Sequence, residues 1–233
     1  MIGWIVCLFV VIIISRVLVD KAKYEKSTYK KETQFSYWKV KRDKGLNGEY
    51  LTVNEIDQLK GFHKVLVNVY LPKVRGGGTT EIDIVLLHET GVYSIESKNY
   101  SGWIFGNEEY KNWTQTFPNG KKQVFYNPIK QNRTHINALK KQLNYLDEGF
   151  FKSIIVFSER CELKKIVMTS TDSKVIKRKK LRHVIHNEGT QVLSGRQILT
   201  IYKKLKEYSN VSNDVKVAHI AEVRKRQSSS KDM

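Results

Sequence analysis

The chain has 233 residues, of which 40% are hydrophobic, so it can bury one sizeable core but is too short for a second catalytic domain beside its appendages. Its two cysteines, Cys7 and Cys161, lie far apart and exclude both a disulfide framework and the ligand spacing of a zinc site. The net charge of +18 favours a polyanionic partner, without separating DNA from RNA.

The first segment, residues 1–19, is almost continuously apolar. As a helix it would be about 28 Å long, close to the thickness of the hydrocarbon core of a bilayer, so it predicts a transmembrane anchor. A cleaved signal peptide is the competing interpretation, but no basic region precedes the apolar run and no A-x-A-like site follows it. The lysines that follow predict a single-pass protein of the cell membrane whose remaining residues face the cytoplasm.

Three further regions follow this segment. Residues 20–44 are charged with interleaved aromatic residues, which predicts a juxtamembrane stalk. We expect a folded domain over residues 45–208, then a short helix and a basic, Ser-rich tail over residues 209–233. A helix is predicted to begin near Asn47, which places Glu49 in its first turn, where a carboxylate favours the helix itself.

The most informative pattern is Asp83 followed thirteen residues later by Glu96, with Lys98 two positions beyond. The segments Thr80–His88 and Val92–Lys98 are rich in Ile, Val and Leu and flank a Gly-containing turn, so they predict a β-hairpin. Direct antiparallel pairing across that turn places Asp83 opposite Glu96, and strand alternation returns Lys98 to the same face.

These three charged groups have a specific chemical use. Two neighbouring carboxylates repel each other unless a cation lies between them. Mg²⁺, with Mn²⁺ as the alternative, prefers oxygen ligands, so Asp83, Glu96 and the backbone carbonyl of Ser97 would suffice to hold one ion. The ion would polarise a phosphate, while Lys98 orients the attacking water or stabilises charge on the phosphoryl oxygens. The alternative is an ordinary exposed cross-strand salt bridge.

Ordered blocks around these residues resemble the nuclease-related domain (NERD) family. The blocks are Ile82-Asp83, the run GVYSIESKNYSG from Gly91 to Gly102, and Asn127-Pro128-Ile129-Lys130-Gln131, with Gly48-Glu49 upstream. They extend from about Gly45 to Tyr145.

That family is similar to the PD-(D/E)xK restriction-endonuclease-like superfamily. The resemblance implies an α/β fold with a mixed central β-sheet flanked by helices, and DNA rather than RNA as the substrate. It also implies that Asp83 and Glu96 are metal ligands, that Lys98 is the catalytic lysine and that Glu49 faces the metal. Ile82 stands where the superfamily's name has proline.

A second helix is predicted to start at Asn127 and Pro128. Gln131 lies one turn into this helix, and we interpret it as an accessory residue that contacts the site or a phosphate. His135, four residues further on, shares its face but is interpreted as an ordinary polar helix residue.

Further along the chain, Phe151–Phe157, Lys164–Met168 and His183–His186 predict strands, and Arg196–Tyr208 has helical spacing. The densest basic run comprises Lys174, Lys177, Arg178, Lys179, Lys180 and Arg182. It predicts nucleic-acid binding through phosphate neutralisation; anionic lipid and bulk solvent are the alternative partners.

These features predict a membrane-anchored, cytoplasm-facing, Mg²⁺-dependent nuclease that acts on DNA. The rivals are a non-catalytic nucleic-acid- or lipid-binding module with the same fold, and a membrane scaffold that recruits a protein partner.

Overall fold

The structure is a computed structural model that describes residues 2–209 together with residues 211, 217 and 221. Its helices are α1 (Ile2–Lys26), α2 (Thr28–Thr33), α3 (Tyr37–Arg42), α4 (Lys44–Ile56), α5 (Pro128–Gln142), α6 (Leu181–His186) and α7 (Gly195–Lys206). Its strands are β1 (His63–Pro72), β2 (Thr79–His88), β3 (Gly91–Lys98), β4 (Gly102–Asn107), β5 (Asn112–Thr116), β6 (Lys122–Tyr126), β7 (Phe151–Phe157), β8 (Cys161–Val167) and β9 (Ser173–Lys177).

The strands form two mixed sheets. The larger sheet has the order β1-β2-β3-β7-β9, in which β1, β2 and β3 pair antiparallel and β7 and β9 add in parallel. The smaller sheet has the order β6-β5-β4-β8. Because β4 follows β3 directly and β8 follows β7, the smaller sheet continues from the end of β3 that carries Lys98. The predicted α/β class with mixed sheets and flanking helices is confirmed.

Helices cover both faces of the larger sheet. One face packs against α1 to α4 and α6 through a core that includes Tyr29, Val53 and Ile185. The other face packs against α5 and α7 through Leu139 and Ile201. Burial of such large apolar side chains, at about 1.5–3 kcal/mol each, is the main force that holds these layers together.

The N-terminal predictions need two corrections. Among the residues that the structure describes, no helix is both long enough and apolar enough to cross a membrane, so the transmembrane helix predicted for residues 1–19 is not supported. Residues 20–44 are not a separate stalk, since Tyr24, Tyr29, Tyr37 and Val40 are buried in the same core as Val53. The rings of these tyrosines contact one another within the core; those of Tyr24 and Tyr37 are tilted, with their centroids 5.8 Å apart.

Two other elements differ from their predicted form. Helix α4 begins at Lys44, because the Asp43 side chain caps it by accepting a hydrogen bond from the Leu46 N–H. Glu49 therefore lies beyond the first turn. The predicted strand His183–His186 is part of helix α6, in which Leu181 and Ile185, four residues apart, are both buried. The predicted C-terminal helix and tail lie largely outside the described residues.

Candidate active site

The hairpin of β2 and β3 has the register that counting predicts. His88 pairs with Gly91, and the regular pairing continues to Ile84 and Ile95. Asp83 lies one residue beyond the last regular pair, and its Oδ2 accepts a hydrogen bond from the backbone N–H of Ser97 at 2.9 Å. The Asp83 carboxylate is therefore fixed against the chain segment that carries Glu96 and Lys98.

The larger sheet is irregular at Asp83. Asn68, the residue across from it in β1, has φ of 54°, and the β1–β2 pairing skips this position. Ile84 packs in the core beneath α4, whereas Ile82 packs in the core beneath α5 and α7. Residues two apart on a regular strand share one face of the sheet, so the regular alternation of side chains is interrupted at Asp83. Irregular strand geometry of this kind re-aims a side chain, and a left-handed Asn marks a strained position. Nothing in the sequence near Asn68 indicated this irregularity.

Lys98 is held between two side chains. Its Nζ donates to Glu96 Oε1 at 2.5 Å and to Gln131 Oε1 at 3.2 Å. Glu96 is only 1% exposed and the Lys98 side chain 16%, so this ion pair is largely shielded from water. The Lys98–Glu96 pair is therefore not the exposed cross-strand salt bridge of the alternative interpretation. Gln131, from α5, contacts Lys98 from the helix side, and its accessory role stays a prediction.

His135 is the residue that sequence reasoning missed. It is 2% exposed, and its Nε2 lies 3.2 Å from Glu96 Oε2, while its Nδ1 lies 2.8 Å from Thr80 Oγ1. Glu96 thus has one carboxylate oxygen beside Lys98 and the other beside His135. The four-residue spacing from Gln131 was the available signal, because it places both side chains on one face of α5.

Helix α5 is anchored to the sheet beside this site. Asn132 accepts a hydrogen bond from Ser94 Oγ at 2.6 Å, and its Nδ2 donates to the Ser94 carbonyl at 2.9 Å and to Ser153 Oγ at 2.8 Å. Because Asn132 lies between Gln131 and His135 in sequence, these bonds fix the position of α5 on the sheet and its rotation about its own axis. Both residues are thereby held beside the site.

Glu49 enters the site from α4. Its Oε2 accepts a hydrogen bond from the Tyr29 hydroxyl at 2.9 Å, which ties the site to α2. Glu49, Asp83 and Glu96 all line one cavity of about 510 Å³, together with Ser97 and Lys98. The cavity brings together every residue that the sequence assigned to catalysis or metal binding, as well as both accessory residues.

The carboxylates differ in their electrostatic environment. Burial raises the pKa of Asp83 well above its ordinary value, and repulsion from Glu96 and Glu49 raises it further. Burial also raises the pKa of Glu49, to about 7, despite the hydrogen bond from Tyr29. Burial would raise the pKa of Glu96 too, but Lys98 and His135 lower it to about 2. Glu96 is thus ionised, and the pKa of Lys98 is held above its ordinary value because Glu96 outweighs burial.

The donor set fits a hard divalent cation. Asp83, Glu96 and Glu49 bring carboxylate oxygens to the cavity, and Ser97 also lines it. Among the described residues, no three His, Cys, Asp or Glu side chains lie close enough together to ligate one ion by themselves. Mg²⁺ prefers oxygen ligands and keeps several waters, so its assignment here rests on the carboxylates that line the cavity.

The stability of the metal-free protein should depend on Glu49. Its proton is bound more tightly in the folded protein, so this contribution to stability is fully present below about pH 4.5 and is lost as the pH rises through about 7. We expect the thermal midpoint of Glu49→Gln to rise relative to that of wild type as the pH increases from about 4.5 to about 7, with both proteins measured in chelator. A difference that is constant with pH would contradict the assignment.

The predicted basic run is not a uniform surface. Lys174 pairs with Glu188, the Lys177 ammonium donates to the carbonyls of Ser158 and Cys161, and Arg182 Nε donates to Glu55 at 2.9 Å. Arg178 is buried and donates to Thr52 Oγ1 at 3.2 Å. Lys179 and Lys180 are exposed. Binding of nucleic acid by this basic run stays a prediction.

Comparison with known proteins identifies a family for the part of the chain that contains this cavity. Residues 44–158 match the nuclease-related domain family. The chain belongs to this family. An uncharacterised protein of Bacillus anthracis is 32% identical over 187 residues, which cover 78% of this chain and 84% of that protein. No solved structure matches the chain. The nuclease-related domain contains all of the cavity's carboxylates, Lys98, Gln131 and His135, and ends just beyond β7.

Proposed function

We propose that this protein is a metal-dependent nuclease that hydrolyses phosphodiester bonds in DNA. The observation that carries the proposal is the convergence of Asp83, Glu96, Lys98 and Glu49 on one cavity. Three carboxylates in the cavity would repel a polyanion, so a protein that only binds nucleic acid has no use for them there. Membership of the nuclease-related domain family supports nuclease-related chemistry, and the choice of DNA rests on the resemblance of that family to restriction endonucleases.

Asp83 and Glu96 would hold the cation with the Ser97 carbonyl, and Mg²⁺ or Mn²⁺ suits these oxygen donors. When bound, such an ion supplies charge stabilisation at the phosphate and lowers the pKa of water. Burial and then repulsion from Glu96 and Glu49 raise the pKa of Asp83, and a bound cation would favour its ionised form. Protons and metal should therefore compete for this group.

Lys98 would act as a positive charge rather than as a base, because Glu96 keeps its pKa above the ordinary value. Its ammonium can orient water and stabilise charge that develops on phosphoryl oxygens. Gln131 would act as a positioning residue, since it accepts one of the Lys98 hydrogen bonds. His135 would position Glu96 in the same way from the other carboxylate oxygen.

The test is a cleavage assay with the full-length protein. Single- and double-stranded DNA and RNA are incubated with Mg²⁺, with Mn²⁺ or with chelator. We expect cleavage of DNA that requires the metal, disappears with chelator and returns when metal is restored. Binding of DNA without any cleavage under these conditions would instead favour a non-catalytic module.

We also propose that the protein attaches to the cytoplasmic leaflet of the cell membrane, whose anionic lipids attract basic residues. Helix α1 exposes a run of large apolar side chains, among them Leu8, Phe9 and Ile14, and Lys21 and Lys23 follow it. Exposed apolar surface of this extent marks an interaction site, and neighbouring lysines add attraction to anionic lipid.

Cell fractionation tests this attachment. We expect the full-length protein to sediment with membranes in high salt, and deletion of residues 1–19 to release it. A protease added to intact cells should leave the domain uncut if it faces the cytoplasm. Full-length protein in the soluble fraction would contradict the proposal.

A further inference from the structure

The cavity has a second set of lining residues that the proposed chemistry does not use. Beyond the carboxylates and Lys98, its lining includes two aromatic residues, Tyr100 and Phe117, and two amide residues, Gln115 and Gln123. Lys44 and Arg160 also line it. Aromatic rings stack on bases, amides pair with base edges, and cations hold phosphates.

We propose that this cavity receives an unpaired strand of DNA, with a base stacked on Phe117 and the flanking phosphates held by Lys44 and Arg160. The inference deepens the proposed nuclease function by naming the form of its substrate.

The position of the wall that carries Phe117 is fixed by the fold. Phe117 lies at the end of β5, and its N–H donates to the Lys121 carbonyl at 2.8 Å while its own carbonyl accepts from Gly120 at 2.9 Å. At the start of β4, Gly102 has φ of 72°, and a Cβ there would lie 2.4 Å from the Thr116 carbonyl oxygen. Only glycine permits this approach, which brings the β5–β6 hairpin against the segment that follows β3, the strand of Glu96 and Lys98.

The amide of Gln115, on the same wall, is ordered. Gln115 is 5% exposed, and its Nε2 donates to the Ser101 carbonyl at 2.8 Å. A buried, oriented amide in a cavity wall is suited to hydrogen bonding with the edge of a base that has left its stack.

The cations stand on two other elements. Lys44 is the first residue of α4, and Arg160 follows β7 and donates from Nη2 to the Asn99 carbonyl at 2.8 Å. Both are exposed, so they can reach the backbone of a bound strand. Arg160 is held over the residue that follows Lys98, which places its charge next to the catalytic segment.

Depth and volume favour an unpaired strand over an intact duplex. Glu96 is 1% exposed, so a phosphodiester must enter the cavity to reach it. The volume of about 510 Å³ is that of a small-ligand site, which suits one or two nucleotides. A base next to the reacting phosphate would enter such a cavity by leaving its stack, and this costs least where it is already unpaired.

The test is equilibrium binding by the full-length protein in chelator, measured by fluorescence anisotropy. The probes are a labelled oligodeoxythymidylate and a blunt duplex of the same length. We expect the single strand to bind more tightly by about 5- to 150-fold, the factor that corresponds to one stacked base. We expect Phe117→Ala to lose this preference and Phe105→Ala, on the same sheet but outside the cavity lining, to keep it. Phe117→Leu serves as a second variant if the alanine variant unfolds.

The charged residues have a matched comparison. Lys44→Gln with Arg160→Gln should reduce the slope of log affinity against log salt by about 0.7 per lost contact with a single strand. Lys179→Gln with Lys180→Gln removes the same charge from the exposed part of the basic run and should leave the slope nearly unchanged. Equal affinity for both probes, or equal effects of the paired variants, would overturn the inference. Because no metal is present, a failure to cleave DNA would count against the proposed function alone.

Discussion

Replacement of Asp83 by asparagine should abolish metal-dependent cleavage and raise the stability of the metal-free protein at neutral pH. Asparagine keeps an oxygen that accepts the Ser97 hydrogen bond, but it removes the negative charge that Glu96 and Glu49 repel. Metal affinity should fall by more than about 100-fold, since even changes outside the ligand shell cost 10- to 100-fold.

The stability gain has a defined pH dependence. The pKa of Asp83 is raised in the folded protein, so ionisation above the unfolded pKa of about 3.9 weakens folding, and asparagine relieves this cost. We expect the thermal midpoint of the variant to exceed that of wild type near pH 7 and the gain to disappear below about pH 4. Metal titration calorimetry and thermal unfolding in chelator measure both effects. Wild-type metal affinity in Asp83→Asn would refute its role as a ligand.

Replacement of Lys98 by alanine should lower kcat by about 10²- to 10³-fold, the usual cost of losing one group that stabilises transition-state charge. The variant should also be less stable, because Lys98 Nζ lies 2.5 Å from Glu96, which is 1% exposed. Removing one partner of a buried pair leaves the other charge poorly compensated, with His135 as its remaining neighbour.

Lys98→Arg separates these two effects. Arginine retains the positive charge beside Glu96 but presents it in a wider, planar shape. We expect Lys98→Arg to recover most of the thermal stability and little of the cleavage rate. If Lys98→Arg recovers both, the lysine serves only as the counter-ion of Glu96 and the proposed role in the reaction is wrong.

The central hairpin was predictable because short-range rules determine it. Alternation of apolar residues and the turn at Gly91 defined both strands and their register, and the register brought Asp83 near Glu96 and Lys98. The start of α5 was also predictable, since Asn127 caps it through its side chain and proline occupies its first turn.

Features that depend on packing between distant segments were not predictable. His135 looked like a surface residue because its burial follows from the contact of α5 with the larger sheet. Strands β4 to β6 were missed since they are short and partly exposed. The burial of Trp113 in β5 depends on a distant segment, because its ring stacks on Phe157 of the other sheet at 6.1 Å. The irregularity at Asn68 involves a residue fifteen positions away from Asp83 in sequence.

The most direct test of the central claim is a single-turnover cleavage assay with wild-type, Asp83→Asn and Lys98→Ala proteins purified in parallel. Each is mixed in excess with labelled single-stranded DNA, first in chelator and then after addition of Mg²⁺. We predict that product forms only after Mg²⁺ is added, that Asp83→Asn forms none, and that Lys98→Ala forms it about 10²- to 10³-fold more slowly than wild type. Equal product from all three proteins, or product that persists in chelator, would contradict a metal-dependent site built on Asp83, Glu96 and Lys98.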